Sequence, residues 1–327
     1  MSNPIPVVIC DDSGVARGQM ARALSHWNVE ITFAGHGLHA LEAIRAGKGD
    51  VMFLDLNMPI MDGYQVLERI RSDDLPTLVI VVSSDIQPEA REQVLSLGAL
   101  DFIQKPFYAE TVSEVLKRFG LLSELAGESA TYADKSAIVT LPDYYQEIAN
   151  VAMGRAGDRL ARFLNTFVHL PIPDVKTVSY AELQAKLKAS AERDLHIISQ
   201  GFVGSGLAGE AMLSLPQDSF QLLAGLLNIE YRPTDELENE LLMDVANILI
   251  GAFLQSFSWQ LNIEFSCGIP VILPPLWKLP ASSEPWDQTL SITIEYGLLE
   301  DRQVSCELML IFSEDSLPAL QTLSDYF

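Results

Sequence analysis

Residues 51–63 read VMFLDLNMPIMDG. Val51–Leu54 is a short apolar run with no internal polar break, the pattern of a strand buried on both faces. It ends in a carboxylate, Asp55. Pro59 and Asp62-Gly63 then supply turn chemistry before a helical pattern over Gly63–Ser72. A strand that delivers one acid to the start of a loop suggests a site at its carboxyl end.

Working outward, the same unit recurs. Apolar, β-branched runs stand at Val7–Cys10, Val29–Ala34, Val51–Asp55, Leu78–Ser83 and Asp101–Gln104. Between and after them lie helical patterns at Ala16–His26, Gly37–Ala46, Gly63–Ser72, Pro88–Ser96 and Ala109–Phe119. Strands alternating with amphipathic helices predict a parallel sheet covered on both faces. Functional residues in such sheets collect at the carboxyl ends of strands. There the sequence places Asp11-Asp12, Asp55, Ser83 and Lys105-Pro106. Three converging carboxylates would repel one another unless a hard cation sat between them, and Mg²⁺ suits that donor set. Asp55 is then a nucleophile, Ser83 a hydrogen-bond partner for a phosphoryl oxygen, and Lys105 a counter-charge. Singly, each feature has a plain reading: Asp12-Ser13 as a helix cap, Pro59 as a turn, Lys105 as a solvated charge. Together, at four of five strand ends, they point to phosphoryl transfer.

Cys10-Asp11-Asp12, Asp55-Leu56-Asn57-Met58-Pro59 with Asp62-Gly63, Ser83-Ser84 and Lys105-Pro106-Phe107 resemble the CheY-type receiver family over about residues 5–122. The resemblance implies a flavodoxin-like (βα)5 fold and phosphorylation of Asp55 by a histidine kinase or small phosphodonors. It implies Mg²⁺ on Asp11, Asp12, Asp55 and the backbone carbonyl of Asn57. Ser83 and Phe102 become the switch residues and Lys105 the phosphate-sensing lysine.

The remainder of the chain has a different texture. The receiver-like region is taken as residues 1–122, a small polar connector as 123–137, and a second domain as 138–327. Helices are expected over Asp143–His169 and Asp235–Trp259, with strands near 196–202, 210–215, 264–272, 290–296 and 304–312. Asp143, Glu147, Asn150, Gly154 and Pro173 are answered by Glu240, Asp244, Asn247, Gly251 and Pro270, each 97 residues later. Steps of four, three and four place the helical members on one stripe. Each helix is therefore expected to bury an apolar side and to present carboxylate, amide and glycine on another. The halves of this pseudo-twofold duplication run from about 138 to 230 and from 231 to 327.

This pattern resembles the CheC/CheX/FliY phosphatases, which act on CheY-type receivers. The resemblance implies an α/β domain with an internal repeat in which Asn150 and Asn247 position a water on an aspartyl phosphate. Glu147 and Asp244 would pair with the target receiver's lysine. Asp244 stands where the pattern has Glu, so its arm is one methylene shorter and the first copy ranks as the stronger site. The implied partners are a histidine kinase and a phosphorylated CheY-like receiver, in trans or in cis. A CheD-like protein and a homodimer stay open. The rival reading is a non-catalytic, phosphorylation-gated binding module.

Charge narrows the classes further. The chain carries 21 basic and 44 acidic residues, a formal −23, which repels phosphate backbones and disfavours a nucleic-acid output. The three cysteines, Cys10, Cys267 and Cys306, are far apart, and no signal or membrane-spanning segment is read. A cytoplasmic location without membrane contact is expected.

Overall fold

The computed structural model describes residues 4–119, 121, 140–191, 195–230, 234–273, 287–298 and 304–324. The connector read at 123–137 lies outside them. Two compact units divide at Asp143 and Tyr144.

In the first unit β1 (Ile5–Cys10), β2 (Val29–Ala34), β3 (Val51–Leu54), β4 (Leu78–Ser83) and β5 (Asp101–Gln104) form a parallel sheet in the order β2-β1-β3-β4-β5. The helices between and after them are α1 (Gly14–Ala23), α2 (Gly37–Arg45), α3 (Gly63–Ser72), α4 (Pro88–Ser96) and α5 (Ala109–Arg118). Strand alternation divides the core in two. Val7, Ile9, Val51, Phe53, Ile80 and Val82 pack with α1 and α5, through Met20, Leu24, Val112 and Leu116. Val8, Cys10, Met52, Leu54, Val79 and Val81 pack with α2, α3 and α4, through Leu41, Ile44, Val66 and Val94. This five-stranded, doubly covered sheet is the flavodoxin-like arrangement. Helix α1 begins two residues before the expected Ala16, because the Ser13 side chain caps the amide of Ala16, and it ends at Ala23.

The second unit begins within the first turn of α6 (Leu141–Leu164), and then come β6 (Val168–His169), β7 (Asp174–Val178), α7 (Tyr180–Ala191), β8 (Leu195–Gly204), β9 (Leu207–Pro216) and α8 (Ser219–Leu226). There follow α9 (Asp235–Gln260), β10 (Ser266–Cys267), β11 (Val271–Ile272), β12 (Thr289–Leu298), β13 (Val304–Phe312), a 3-10 turn and α10 (Leu317–Ser324). The sheet is antiparallel, ordered β10-β8-β9-β13-β12-β6, with β11 also on β8 and β7 also on β12. The order reads the same after exchanging β8 with β12, β9 with β13, and β10 and β11 with β6 and β7. At its centre Met212 faces Met309.

Helix α6 stops at Leu164, short of the expected His169. Asn165 adopts a left-handed conformation (φ 49°) and the Thr166 amide bonds back to the Ala161 carbonyl at 3.1 Å. Helix α9 ends the same way, with Asn262 at φ 53° and the Ile263 amide on the Ser258 carbonyl at 3.0 Å. The helix stop thus stands twice, 97 residues apart. The strand expected near 264–272 is instead two short pieces. Gly268 bonds to Gly201, and Pro270 has no amide to donate to a ladder.

Helices α6 and α9 touch through Tyr145 stacked on Phe257, the Gln260 amide on the Ile148 carbonyl (3.0 Å), Arg155 over Trp259, and Arg159 on Gln255. By length and composition α9 could cross a membrane. In the fold its apolar residues, among them Leu242, Val245, Leu249, Phe253 and Phe257, are buried.

Candidate functional site

The first site is built where strand ends and loops meet. Asp11, leaving β1, and Asp55, leaving β3, are buried, and the Lys105 ammonium stands between them, 2.7 Å from Asp11 Oδ2 and 3.1 Å from Asp55 Oδ1. The other Asp11 oxygen accepts the Ser13 amide at 2.9 Å, and Asp55 Oδ2 accepts the Asn57 amide at 2.8 Å. Each carboxylate thus has the ammonium on one oxygen and a backbone donor on the other. Ser83 is fully buried at the end of β4, its hydroxyl accepting the Asp85 amide at 3.1 Å. Asp12 and Phe102 are half-buried, and Phe102 borders a surface hollow of about 460 Å³ with Ile86, Pro88 and Arg91. Lys105 joins Pro106 through a cis bond.

Gly63 explains part of the shape. A Cβ there would lie 2.3 Å from the Asp55 carbonyl oxygen and 2.8 Å from Leu56 Cα. Its amide bonds to the Leu56 carbonyl at 2.9 Å, so α3 starts against the backbone that carries Asp55. Near this cluster, burial first and then Asp85, Asp62 and Asp55 push the Tyr64 hydroxyl well above its ordinary range.

In the second unit the two stripes differ. Along α9, Glu240, Asp244, Asn247 and Gly251 are all exposed, and a Cβ at Gly251 would meet only open space. Along α6, Glu147 is 7% exposed and Asn150 3%, and Gly154 is buried too. The expectation that each helix presents its stripe holds for α9 and fails for α6, which is buried around nearly its whole girth from Tyr144 to Asp158. Asn150 Oδ1 has no hydrogen-bond partner among the described residues. Asp143 closes the start of its own helix. It accepts the Thr140 amide and hydroxyl at 2.8 and 2.7 Å, while the Thr140 hydroxyl accepts the Asp143 amide, a capping box. Glu240 lies a turn further into its helix, where no end has to be capped. A close approach in α6 is made at Gly157, where a Cβ would be 2.4 Å from Leu170 Cδ2.

Residues 7–117 match the family model for the response regulator receiver domain. This part of the chain is a receiver domain. The response regulator MprA of Mycolicibacterium vanbaalenii is 34% identical over 143 residues, covering 41% of this chain and 60% of MprA. The probable transcriptional regulatory protein NarL of Mycobacterium tuberculosis is 41% identical over 123 residues, covering 36% and 56%. The chain therefore spans less than two thirds of either relative. The crystal structure of Thermotoga maritima FliY aligns with 58% of this chain and 98% of its own at 20% identity and a TM-score of 0.44.

Receiver domains generally bind Mg²⁺ at the phosphorylation site, and the donors here fit that ion. Among the described residues no group of three or more His, Cys, Asp or Glu side chains is gathered to hold a metal alone. Mg²⁺ does not require one, since it takes one or two carboxylates and completes its shell with water and phosphate oxygens. Asp11, Asp12 and Asp55, with the Asn57 carbonyl, would hold it. One receiver residue escaped the sequence reading. Arg17, a turn into α1, donates to the Asp11 and Asp12 carbonyls at 2.8 and 3.2 Å. Its only signal is a cation five residues after an acid pair.

Proposed function

We propose that Asp55 is the residue phosphorylated by a histidine kinase, and that the second unit hydrolyses aspartyl phosphate on a CheY-type receiver. At the receiver, the Asp55 carboxylate oxygen attacks the phosphorus of the kinase's phosphohistidine, and the P–N bond breaks with the imidazole as leaving group. Bound Mg²⁺ would supply charge neutralisation for the incoming phosphoryl group. Lys105 moves its ammonium from the Asp11–Asp55 pair toward a phosphoryl oxygen, and Ser83 donates its hydroxyl to another.

The observation that carries the phosphatase reading is the open stripe on α9. An aspartyl phosphate sits in a recess of its own receiver, so the group that positions the attacking water must protrude into it. Asn247 is exposed, and its carboxamide can both donate to and accept from that water. Asp244, one turn earlier on the same stripe, is placed to pair with the target receiver's lysine. Gly251, with open space beside it, leaves room for the partner's surface. The strand order, the facing Met212 and Met309, and the repeated Asn165/Asn262 helix stops support a duplicated, CheC-like domain. On this reading the working copy is Asp244/Asn247. Glu147 and Asn150 take part only if α6 is uncovered.

The test is phosphate release from a panel of phosphorylated receivers, this chain's own receiver included, with Asn247→Ala and Asn150→Ala variants. Misplacing a reacting group typically costs about 10²-fold, so Asn247→Ala should abolish the acceleration while Asn150→Ala leaves most of it. Release that neither the natural chain nor a variant accelerates on any receiver would transfer the reading to a binding module.

A further inference from the structure

We propose that Arg17 is a positioning residue that sets the Mg²⁺ affinity of the receiver, an inference resting on the reading of Asp11, Asp12 and Asp55 as the metal site. One guanidinium nitrogen, Nη1, donates to two consecutive carbonyls, those of Asp11 (2.8 Å) and Asp12 (3.2 Å). Both acids are thus tied through their backbone to one cation. The Asp11 amide is held in turn by the Ala34 carbonyl at 3.0 Å. With amide and carbonyl held, the peptide planes on either side of Asp11 are fixed, and so is the direction of its Cα–Cβ bond. That carboxylate points the other way, to Lys105 at 2.7 Å and the Ser13 amide at 2.9 Å.

The choice of acceptor is the informative detail. A guanidinium beside two carboxylates would ordinarily pair with them bidentately. Through Nη1 it takes two neutral carbonyls, while the Asp11 oxygens are held by Lys105 and the Ser13 amide, so Asp11 is positioned through its backbone and its carboxylate is left to other partners. Its positive charge still acts on the pocket. Its guanidinium rests against Gly35, where a Cβ would be 3.8 Å from Nη1, so the arm lies between the β1–α1 and β2–α2 loops. Arg17 therefore holds the acid pair in shape and offsets part of its mutual repulsion, the role of a residue behind the ligands.

The experiment is calorimetric titration of the full chain with Mg²⁺, comparing the natural chain with Arg17→Met and Arg17→Lys. Met keeps an apolar arm and loses donor and charge. Loss of a group behind the ligands typically weakens metal affinity about 10–100-fold, so Met should fall in that range. Lys should recover most of the affinity, because a single nitrogen makes both contacts. A Met variant that binds Mg²⁺ within about twofold of the natural chain overturns the proposal, since that is well short of what such residues contribute. If Arg17→Met does not fold, the Nε–Hε resonance of Arg17 is followed while the natural chain is titrated. A shift saturating with the calorimetric affinity supports the role, and an unmoved resonance overturns it. A natural chain that binds no Mg²⁺ overturns the metal-site reading, and the proposal falls with it for a distinguishable reason.

Discussion

Replacing Lys105 by Met tests whether one ammonium is what allows two buried acids to stand together. Lys105 Nζ lies 2.7 Å from one Asp11 oxygen and 3.1 Å from one Asp55 oxygen, so those oxygens are at most about 6 Å apart. At that separation and an effective dielectric constant of about 20, two unit charges repel by about 3 kcal/mol. Methionine keeps most of the apolar stem, so little packing is lost. Removing one partner of a buried pair characteristically costs roughly 3–5 kcal/mol, and the repulsion alone reaches the lower end of that range. The variant should therefore lose about 3–5 kcal/mol in metal-free buffer at neutral pH. Hydrogen exchange of the full chain, read on peptides covering β1 and β3, isolates the receiver's opening free energy from that of the second unit. Adding Mg²⁺ supplies a replacement cation. At about 100 times its dissociation constant it should return about 2.7 kcal/mol, and more to the variant than to the natural chain, whose lysine competes for the same oxygens. A loss below about 1 kcal/mol, the range of a solvated surface pair, or a loss indifferent to Mg²⁺, would refute the reasoning.

Two further outcomes follow from single residues. Ile60 is β-branched, 73% exposed, and held at φ 69° in the loop after Asp55. Ile60→Gly relieves left-handed strain without losing packing and should stabilise the receiver by about 1 kcal/mol in the same exchange experiment. Cys306 is fully buried opposite Tyr296, and burial foremost pushes its thiol up to about 12. The unfolded thiol ionises near 8.5. Below that pH both states are protonated and the contribution is complete. Above it the unfolded chain gives up a proton that the native chain keeps, so stability falls by about 1.4 kcal/mol per pH unit toward the folded value. Cys306→Val should flatten that fall between about pH 8.5 and 10 in urea unfolding of the second unit.

The receiver was legible because its signals are local and redundant. Val51–Leu54 reads as a doubly buried strand from composition alone, and Asp11, Asp55, Ser83 and Lys105 each sit at or just beyond a strand end, so the topology brings them together. Arg17 was missed because it acts on backbone carbonyls, and nothing in sequence spacing distinguishes an arginine that reaches back to a loop from one in solvent. Ile60 was missed for a related reason: the left-handed conformation belongs to the loop that brings α3 against Asp55, and isoleucine does not announce it as glycine would.

In the second unit a period of 3.6 says which residues share a face, and it placed Glu147 with Asn150 and Asp244 with Asn247 correctly. It cannot say whether that face is covered, because covering is a property of what packs against the helix. The composition of the two helices held a clue. From Tyr144 to Asp158 the α6 sequence holds three Ala and two Gly, small residues suited to contact on all sides, and that stretch is buried nearly throughout. Helix α9 keeps Glu236, Glu240, Asp244 and Gln255 spaced along one line, and all four are exposed. Three carboxylates, one per turn over the first ten residues of the helix, are difficult to bury, so that end of the line stays open. Ranking the copies by the length of the acidic arm favoured Glu147. Ranking them by which helix can keep its stripe in water favours Asp244 and Asn247, and access has to come before reach.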